Sequence, residues 1–267
     1  MTAETDTKRI IKDLKKRILV ASHRAREGHI ASAFSILDIV YVLYSNHVKV
    51  DPLNPDSSDR DYFILSKGHG CLALYAVLAN RGFFSLEDLN TFCGLHSNLG
   101  GHPDRLKVPG VEASTGSLGH GLPIAVGMAL GLKASGRDTQ RVYCLVGDGE
   151  LNEGSNWEAL LQAEQNKLDN LTVVVDHNSS TTRSVEYRAG LMQRIRSFGC
   201  ITYTVSDGHC HTDLNTAFGR ALVPGMPTVV VAHTVKGKGL KTMENNHEWH
   251  HKSPSADELE IFIKELE

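Results

Sequence analysis

Short apolar segments that alternate with helical segments constrain the fold of this chain more than any other feature. Runs rich in Val and Ile end abruptly at polar or Gly residues, and apolar residues recur at helical spacing between them. Such strands form a parallel sheet with helices on both faces, so we predict an α/β fold. The predicted strands are 62–65, 141–146, 171–176, 201–205 and 228–232, and the predicted helices between them are 71–80, 122–135, 155–167, 190–198 and 212–222.

The segment before the first strand is predicted to be helical. Apolar residues recur at helical spacing over 7–27, which predicts a helix that stops at Gly28. Ser35, followed by Asp38 and an apolar run, resembles the capped start of a second helix. We therefore expect two helices to precede the sheet.

Length and composition indicate one ordinary folded domain. A chain of 267 residues can bury a substantial core, and 41% hydrophobic and 22% charged residues are typical of globular proteins. The formal net charge of −3 gives no sign of a nucleic-acid binder. We interpret 1–267 as a single domain, with an N-terminal helical segment over 1–60 and a polar, His-rich tail over 236–267.

The sequence also predicts a cytoplasmic location. The polar N-terminus is followed by no signal-peptide core, and the apolar runs are far shorter than the ~20 residues of a membrane helix. The five cysteines are odd in number and scattered, which is typical of reduced thiols. We expect neither a membrane nor a nucleic acid among the partners.

Several loops with unusual residues are predicted to meet at one edge of the sheet. Ligands bind beyond the carboxyl ends of the strands in parallel α/β sheets. One of these loops is rich in Gly, His and Pro and too long for a simple connection, as functional loops often are. The loops are 66–70, 94–121, 147–154 and 176–189.

Two of these loops carry oxygen ligands directly after a strand. Asp148, between Gly147 and Gly149, follows one strand, and Asn178 follows the next. Residues between them suffice for one βαβ crossover, which would place the two side chains on neighbouring strands. Carboxylate and amide oxygens suit Mg²⁺ or Ca²⁺, and the glycines let a diphosphate approach the backbone. The alternative is a turn followed by a strand-end cap.

Segments distributed over most of the chain, roughly residues 10–255, together match the pattern of one protein family. They are Gly28-His29, Ser66-Lys67-Gly68-His69-Gly70, Gly101-His102-Pro103, 114–121, the Gly-Asp-Gly motif, 167–171, 234–239, Glu244-Asn245-Asn246 and Trp249-His250. In these segments the chain resembles the N-terminal, diphosphate-binding half of a transketolase of the kind split into two polypeptides. The resemblance implies the thiamine-diphosphate-binding fold, in the module that holds the diphosphate (PP type).

The resemblance implies a set of site residues. His69 and His250 are expected near the diphosphate and the reacting carbon, and His29 and His102 near sugar hydroxyls, which makes these four the candidate catalytic residues. The backbone carbonyl of Ser180 is expected to complete the metal ligands Asp148 and Asn178. The remaining expected cofactor contacts are Gly116, Ser117, Leu118, Gly147, Gly149 and Glu153.

The resemblance also implies an activity and a partner. A transketolase is a transferase that moves a two-carbon ketol unit from a ketose donor to an aldehyde acceptor, here sugars or sugar phosphates. The carboxylate that activates the cofactor comes from a pyrimidine-binding domain, and the chain ends at Glu267, before that domain would begin. We therefore expect a C-terminal partner subunit in an α2β2 heterotetramer, and no activity without the partner.

Other interpretations remain open. The chain could belong to another thiamine enzyme, resembling 1-deoxyxylulose-phosphate synthase or a 2-oxoacid dehydrogenase E1 subunit, or be a non-catalytic partner. Glu153 suits a subunit contact, as in transketolases, or a helix dipole. The following histidines could instead bind a transition metal: His247, His250 and His251, or His209 and His211.

Departures from the family pattern leave some residues without a role. His120 stands where the family usually has Gln, and Ile30 where Pro is common. His251 could replace its neighbour His250 at the cofactor. Arg183 and Arg188 suit the recognition of an anionic group, or are two solvated loop charges.

Overall fold

Five strands and eight α-helices form the framework of the residues that the computed structural model describes, 3–179 and 190–267. The strands are β1 (Tyr62–Leu65), β2 (Val142–Gly147), β3 (Leu171–His177), β4 (Ile201–Val205) and β5 (Thr228–His233). The helices are α1 (Ala3–Ala25), α2 (Ile30–Asn46), α3 (Cys71–Asn80), α4 (Gly121–Ala134), α5 (Gly154–Gln165), α6 (Leu191–Ser197), α7 (His211–Arg220) and α8 (Ala256–Glu265).

The strands form one sheet in the order β1-β2-β3-β5-β4, and every neighbouring pair is parallel. Between β2 and β3, Gly147 lies opposite Asp176, so the two strands end at the same level. The predicted α/β fold with a parallel sheet is confirmed. The direct pairing of β2 with β3 also follows the prediction of one βαβ crossover between them.

Helices cover both faces of the sheet because alternate strand residues point to opposite sides. On β2, Tyr143 and Leu145 pack with α1, α2 and α3, whereas Cys144 and Val146 pack with α4, α5 and α6. Each face therefore buries its own apolar cluster. Because α2 and α3 are buried almost all round, they fix the position of the loops at their ends.

The second helix begins at Ile30, and the predicted start at Ser35 was wrong. Ser35 and Asp38 lie inside α2, and both are buried. Their side chains bind distant partners, Asp176 for Ser35 and two histidines for Asp38, instead of capping backbone N–H groups. A polar pair within a helix, when it has tertiary partners, looks in the sequence like a capping pair.

The C-terminal segment contains a helix, α8, in addition to the predicted polar stretch. The hydroxyl of Ser255 accepts from the Glu258 N–H, and the Glu258 carboxylate accepts from the Ser255 N–H, which is a capping box. Phe262 is 2% exposed and packs edge-on against Trp249, with ring centroids 5.2 Å apart. This contact joins α8 to the segment that carries His250.

Between residues 92 and 120 the chain forms no helix or strand, as predicted for a long functional loop. Nowhere in 3–179 or 190–267 is there a helix long and apolar enough to cross a membrane. All five cysteines are free thiols, four of them at least partly buried.

Candidate cofactor site

Asp148 and Asn178 lie together at the carboxyl ends of β2 and β3. The Asp148 carboxylate accepts from the Gly149 N–H at 2.8 Å and from the Ser179 N–H at 2.7 Å. The second of these bonds ties the segment after Asn178 to the segment after β2. Neighbouring parallel strands thus bring together the two predicted metal ligands, while the third, Ser180, lies outside the described residues.

A buried carboxylate, Asp176, lies behind Asn178. Its carboxylate accepts hydrogen bonds from four groups. They are the Lys67 ammonium at 2.5 Å, the Ser35 hydroxyl at 2.7 Å, the Thr234 hydroxyl, and the Asn178 amide nitrogen at 2.9 Å. Burial alone would raise the pKa of Asp176, but the Lys67 ammonium and the hydroxyl donors outweigh it and the pKa is lowered. Asp176 is therefore an ionised group that joins α2, β3 and the ends of β1 and β5.

A second buried carboxylate, Glu150, joins three of the predicted loops. Its side chain accepts from the Ser66 hydroxyl at 2.5 Å, from the Gly119 N–H at 2.9 Å and from the Gly147 N–H at 3.1 Å. Burial, the largest effect, raises the pKa of Glu150 despite these bonds. One side chain thus fixes the relative positions of the turn after β1, the loop before α4 and the end of β2.

These loops enclose a cleft of about 350 Å³ at the carboxyl edge of the sheet. Its walls include most of the predicted cofactor contacts and, in addition, Ser32, Lys67, Glu150, Asn152 and Lys236. The predicted contacts that line it are His69, Leu118, Gly147, Asp148, Gly149, Glu153, Asn178 and His250.

Gly116 and Ser117 are in the same loop as Leu118 but do not line this cleft. Gly116 has a φ of +154°, and a Cβ atom there would lie 2.9 Å from the ring of His102. Only Gly permits this close approach of the loop to the histidine. Gly116 thus positions His102 as well as the loop.

The four predicted catalytic histidines form one cluster. The ring centroid of His29 lies 5.3 Å from that of His69, 6.5 Å from that of His102 and 5.8 Å from that of His250. A parallel bridge between His29 and Lys252 brings the C-terminal segment back to the start of α2. Residues from four distant parts of the sequence therefore meet in this cluster, and two of them, His69 and His250, line the cleft.

His251 occupies a different place from His250. His250 lines the cleft, and its Nδ1 accepts from the Lys236 ammonium at 2.8 Å. His251 stacks on His29 at 4.4 Å, and its Nε2 contacts the Glu27 carboxylate outside the cleft. The geometry favours His250 as the residue that faces the cofactor.

Burial keeps three of the clustered histidines, His29, His69 and His250, uncharged near neutral pH. Burial, and then the neighbouring histidines, lower the pKa of His29 to about 4. Burial and then Lys67 lower the pKa of His69, and burial and then Lys236 lower that of His250. A neutral imidazole can both donate and accept a hydrogen bond, which suits the recognition of sugar hydroxyls.

Lys236 is a buried cation in the cleft wall. Burial, and then the charge of Lys67, lower its pKa to about 8. The two ammonium groups share the cleft with Asp148, whose pKa is raised by burial and then by Asp176. The site therefore combines cations that can compensate a diphosphate with a carboxylate that gains stability from a bound cation.

The residues present fit a divalent cation with a diphosphate. Asp148 and Asn178 would supply two hard oxygen ligands, and the carbonyl expected from Ser180 would be a third. No atom lies within 4 Å of the position of a Cβ on Gly149, so its backbone is open to the cleft. Lys67 and Lys236, which line the same cleft, supply positive charge.

The other histidine groups are arranged differently. His209 and His211 both donate to the buried Asp38, at 2.9 and 2.7 Å, and the second ring nitrogen of His209 accepts from the Val235 N–H at 2.9 Å. Burial would raise the pKa of Asp38, but the two histidines lower it below its usual range. Within the described ranges, no three or more His, Cys, Asp or Glu side chains are grouped as metal ligands.

The segment after β5 is anchored at each of its residues. Thr234 donates to Asp176, and Val235 donates to His209. Lys236 binds His250, Gly237 donates to the Ala31 carbonyl at 2.9 Å, and the Lys238 carbonyl accepts from Lys15 of α1 at 2.8 Å. We call residues 234–238 the anchored segment. It connects the cleft to α1 and α2.

Other predicted residues have simpler surroundings. His120 is exposed at the start of α4, with its Nδ1 3.3 Å from the Leu118 carbonyl. Glu153 precedes α5, where a carboxylate suits the helix dipole, and it also lines the cleft. Arg183 and Arg188 lie outside the described residues.

Six residues at or behind the cleft wall had no role predicted from the sequence: Ser32, Lys67, Glu150, Asn152, Asp176 and Lys236. The signal for Asp176 was a charged residue at the end of the apolar run of β3, where an unpaired charge would be costly. Lys67 and Lys236 stood within segments that were matched to the family. Their partners could not be read from the sequence because they lie on other elements.

Comparison with known proteins shows which family this chain is similar to. The family model described as "Transketolase, thiamine diphosphate binding domain" matches residues 7–266. A protein from Actinobacillus succinogenes, named as one subunit of an apulose-4-phosphate transketolase, is 38% identical over 257 residues, 94% of this chain and 92% of that protein. The subunit of the same name from Phocaeicola vulgatus is 37% identical, over 94% of this chain and 90% of that protein.

Similarity also extends to solved structures of longer chains. A transketolase from Leishmania mexicana superimposes with a TM-score of 0.88 at 27% identity. The alignment covers 97% of the present chain and 41% of that one. The present chain thus spans about two fifths of that transketolase but nine tenths of the two apulose-4-phosphate transketolase subunits.

Proposed function

Since this chain belongs to the transketolase family, as an N-terminal subunit of the split type with a thiamine-diphosphate-binding domain, we propose that it transfers a two-carbon ketol unit between sugars. In this proposal it binds thiamine diphosphate with Mg²⁺ and acts only with a C-terminal subunit. Residues 1–267 work as one domain that binds the diphosphate.

One observation carries the proposal: Asp148 and Asn178 end neighbouring strands at a cleft that Lys67 and Lys236 also line. Bound thiamine diphosphate supplies the carbon centre that carries the two-carbon unit. The side chains of Asp148 and Asn178, with the carbonyl of Ser180, hold the cation. The two lysines compensate the charge of the diphosphate.

The clustered histidines supply the contacts to the sugar. His29 and His102 bind hydroxyl groups of donor and acceptor, while His69 and His250 lie nearer the cofactor. Because His29 and His69 are neutral, each can donate to one oxygen and accept from another. The neutral His250 can only donate to the sugar, because its Nδ1 already accepts from Lys236. His250 is oriented for this by Lys236, which occupies its Nδ1 and leaves Nε2 as the donor.

A partner is proposed because both apulose-4-phosphate transketolase relatives are named as subunits, which supports an assembly with a second kind of chain. The present chain also matches only part of a longer transketolase. We propose that two copies of each chain form a heterotetramer, with the activating carboxylate supplied by the partner. A phosphorylated ketose is the proposed substrate class, since those relatives are named for apulose 4-phosphate.

The test is reconstitution with the C-terminal subunit. With thiamine diphosphate and Mg²⁺, the pair should transfer a glycolaldehyde unit from at least one ketose in a panel that includes apulose 4-phosphate, and neither chain should do so alone. Asp148→Ala should abolish transfer, whereas Asp138→Ala, at an exposed loop position, should not. A stable pair that binds the cofactor but transfers no unit would contradict the proposal.

A further inference from the structure

The buried Asp176 lies outside the proposed ligands but touches one of them. It is 0% exposed and stands two residues before Asn178, at the end of β3. Its carboxylate accepts from the Asn178 amide nitrogen at 2.9 Å. A group so close to a metal ligand affects how that ligand is presented.

The neighbours that the structure describes around this carboxylate are all donors. Lys67 carries only donor hydrogens, and it lies at 2.5 Å. The Ser35 hydroxyl lies 2.7 Å from one carboxylate oxygen and 2.9 Å from the other, and the Thr234 hydroxyl also donates. An ionised carboxylate can only accept, so the hydrogens of both hydroxyls point towards Asp176.

This pattern fixes the orientation of the Asn178 amide. The Ser35 oxygen, which gives its hydrogen to Asp176, can only accept from the Asn178 nitrogen, at 3.2 Å. Both groups next to that end of the amide are therefore acceptors. The two ends of an amide have nearly the same shape but opposite polarity, so shape alone would not choose between them.

We propose that Asp176 is a positioning residue that holds the amide nitrogen of Asn178 inward and so presents its carbonyl oxygen to the divalent cation. The inference rests on the proposed function, in which Asn178 is a metal ligand. In a chain without this acceptor, the amide can turn and present its nitrogen, which repels a cation. Lys67 then also loses the carboxylate with which it forms an ion pair.

Metal binding by the assembled complex tests the role directly. We would measure Mn²⁺ affinity by electron paramagnetic resonance in the presence of thiamine diphosphate, using the full chain with its C-terminal subunit. Asp176→Asn should bind Mn²⁺ about 10–100-fold more weakly, the usual effect of losing a group that orients a metal ligand. Circular dichroism would verify that the variant is folded.

A matched control exists at the other end of β3. Asp169 also binds a lysine, with its carboxylate 2.6 Å from the Lys133 ammonium, and it accepts from the Gly225 N–H. Asp169→Asn makes the same chemical change in a Lys–Asp pair that does not touch Asn178. Its Mn²⁺ affinity should equal that of the wild type, and an equal loss in both variants would overturn the positioning role.

Two further variants test the positioning role and the metal site separately. If Asp176→Asn does not fold, Ser35→Ala should weaken Mn²⁺ binding at least threefold, because it removes one of the two acceptors for Asn178. Wild-type affinity in the folded Asp176 variant, or in this substitute, would overturn the inference alone. Asn178→Ala tests the proposed function separately, since undiminished Mn²⁺ binding there would overturn the metal site itself.

Discussion

At the scale of single residues, burial decides the charge of the site. The unfolded chain binds a proton on His29 near the ordinary pKa of 6.5, whereas the folded chain binds it near pH 4. Between these values the unfolded state holds more protons at this position, so the contribution of His29 to stability must fall as the pH falls from 6.5 towards 4. The same burial keeps this imidazole available for hydrogen bonding at neutral pH.

The substitution His29→Asn tests this direction of the pH dependence of stability. The free energy of unfolding, measured with urea at pH 7 and pH 5, should fall less in the variant than in the wild type because the variant has no proton to bind at this position. His96→Asn, which removes an exposed histidine, should lose as much stability as the wild type. Identical pH slopes in all three proteins would contradict the shifted pKa.

Glu150→Gln should weaken thiamine diphosphate binding on the order of tenfold. Ser66 and Gly119 donate to Oε1, and Gly147 donates to Oε2. The amide that keeps the Oε1 acceptor therefore places its NH₂ group against the Gly147 N–H. Isothermal titration of the assembled complex would measure the affinity. The exposed Glu260→Gln is the control, and equal affinity in both variants would rule out the loop-joining role of Glu150.

Residue types near a motif could be predicted, but their partners could not. Asp148 and Asn178 were identified because each directly follows an apolar strand, and the Gly-His segments drew attention to the clustered histidines. Asp176 lies in the same strand segment as Asn178, but no role was predicted for it from the sequence. Its partners Lys67 and Thr234 come from other elements. Only the tertiary structure brings such groups within hydrogen-bond distance.

At the scale of elements, α8 depends on one buried ring. Phe262→Ala should lower the free energy of unfolding by about 3–5 kcal/mol, because it leaves a cavity against Trp249. Its neighbour Ile261 is 58% exposed, so Ile261→Ala should cost less than about 0.5 kcal/mol. Urea unfolding measures both values, and equal losses would mean that α8 is not packed as described.

The strands were predicted more accurately than the helix ends. A short run of β-branched and aromatic residues that ends at a polar residue is a strong local signal, so β1 and β4 have the predicted bounds. The start of α2 was misplaced because Ser35 and Asp38 resemble a cap while serving tertiary contacts. The helix α8 was missed because its charged residues outnumber the few that face the core, such as Phe262.

At the scale of the whole molecule, charge is unevenly distributed. The chain has a formal net charge of −3, yet Lys67 and Lys236 both line the cleft. Salt screens such charges over about 8 Å at physiological ionic strength. Asp148, Glu150 and Glu153 line the same cleft, so the two lysines attract an anionic cofactor at short range and not through a net positive charge of the cleft.

Thiamine diphosphate affinity should consequently fall several-fold between low and high salt. Lys236→Met should bind more weakly at low salt and show a smaller salt dependence, because one of the attracting charges is gone. Lys264→Met, a change on α8, should retain the wild-type salt dependence. Titrations of the assembled complex at several salt concentrations would measure it, and equal slopes for the wild type and Lys236→Met would contradict the electrostatic contribution.

The anchored segment, 234–238, has a consequence for cooperativity. Its hydrogen bonds run from the cleft wall at Lys236 to the Ala31 carbonyl of α2 and to Lys15 of α1. A ligand that holds Lys236 thereby opposes local opening of these helices. Amide hydrogens in the first two helices should therefore exchange more slowly once the cofactor is bound, although most of α1 does not line the cleft.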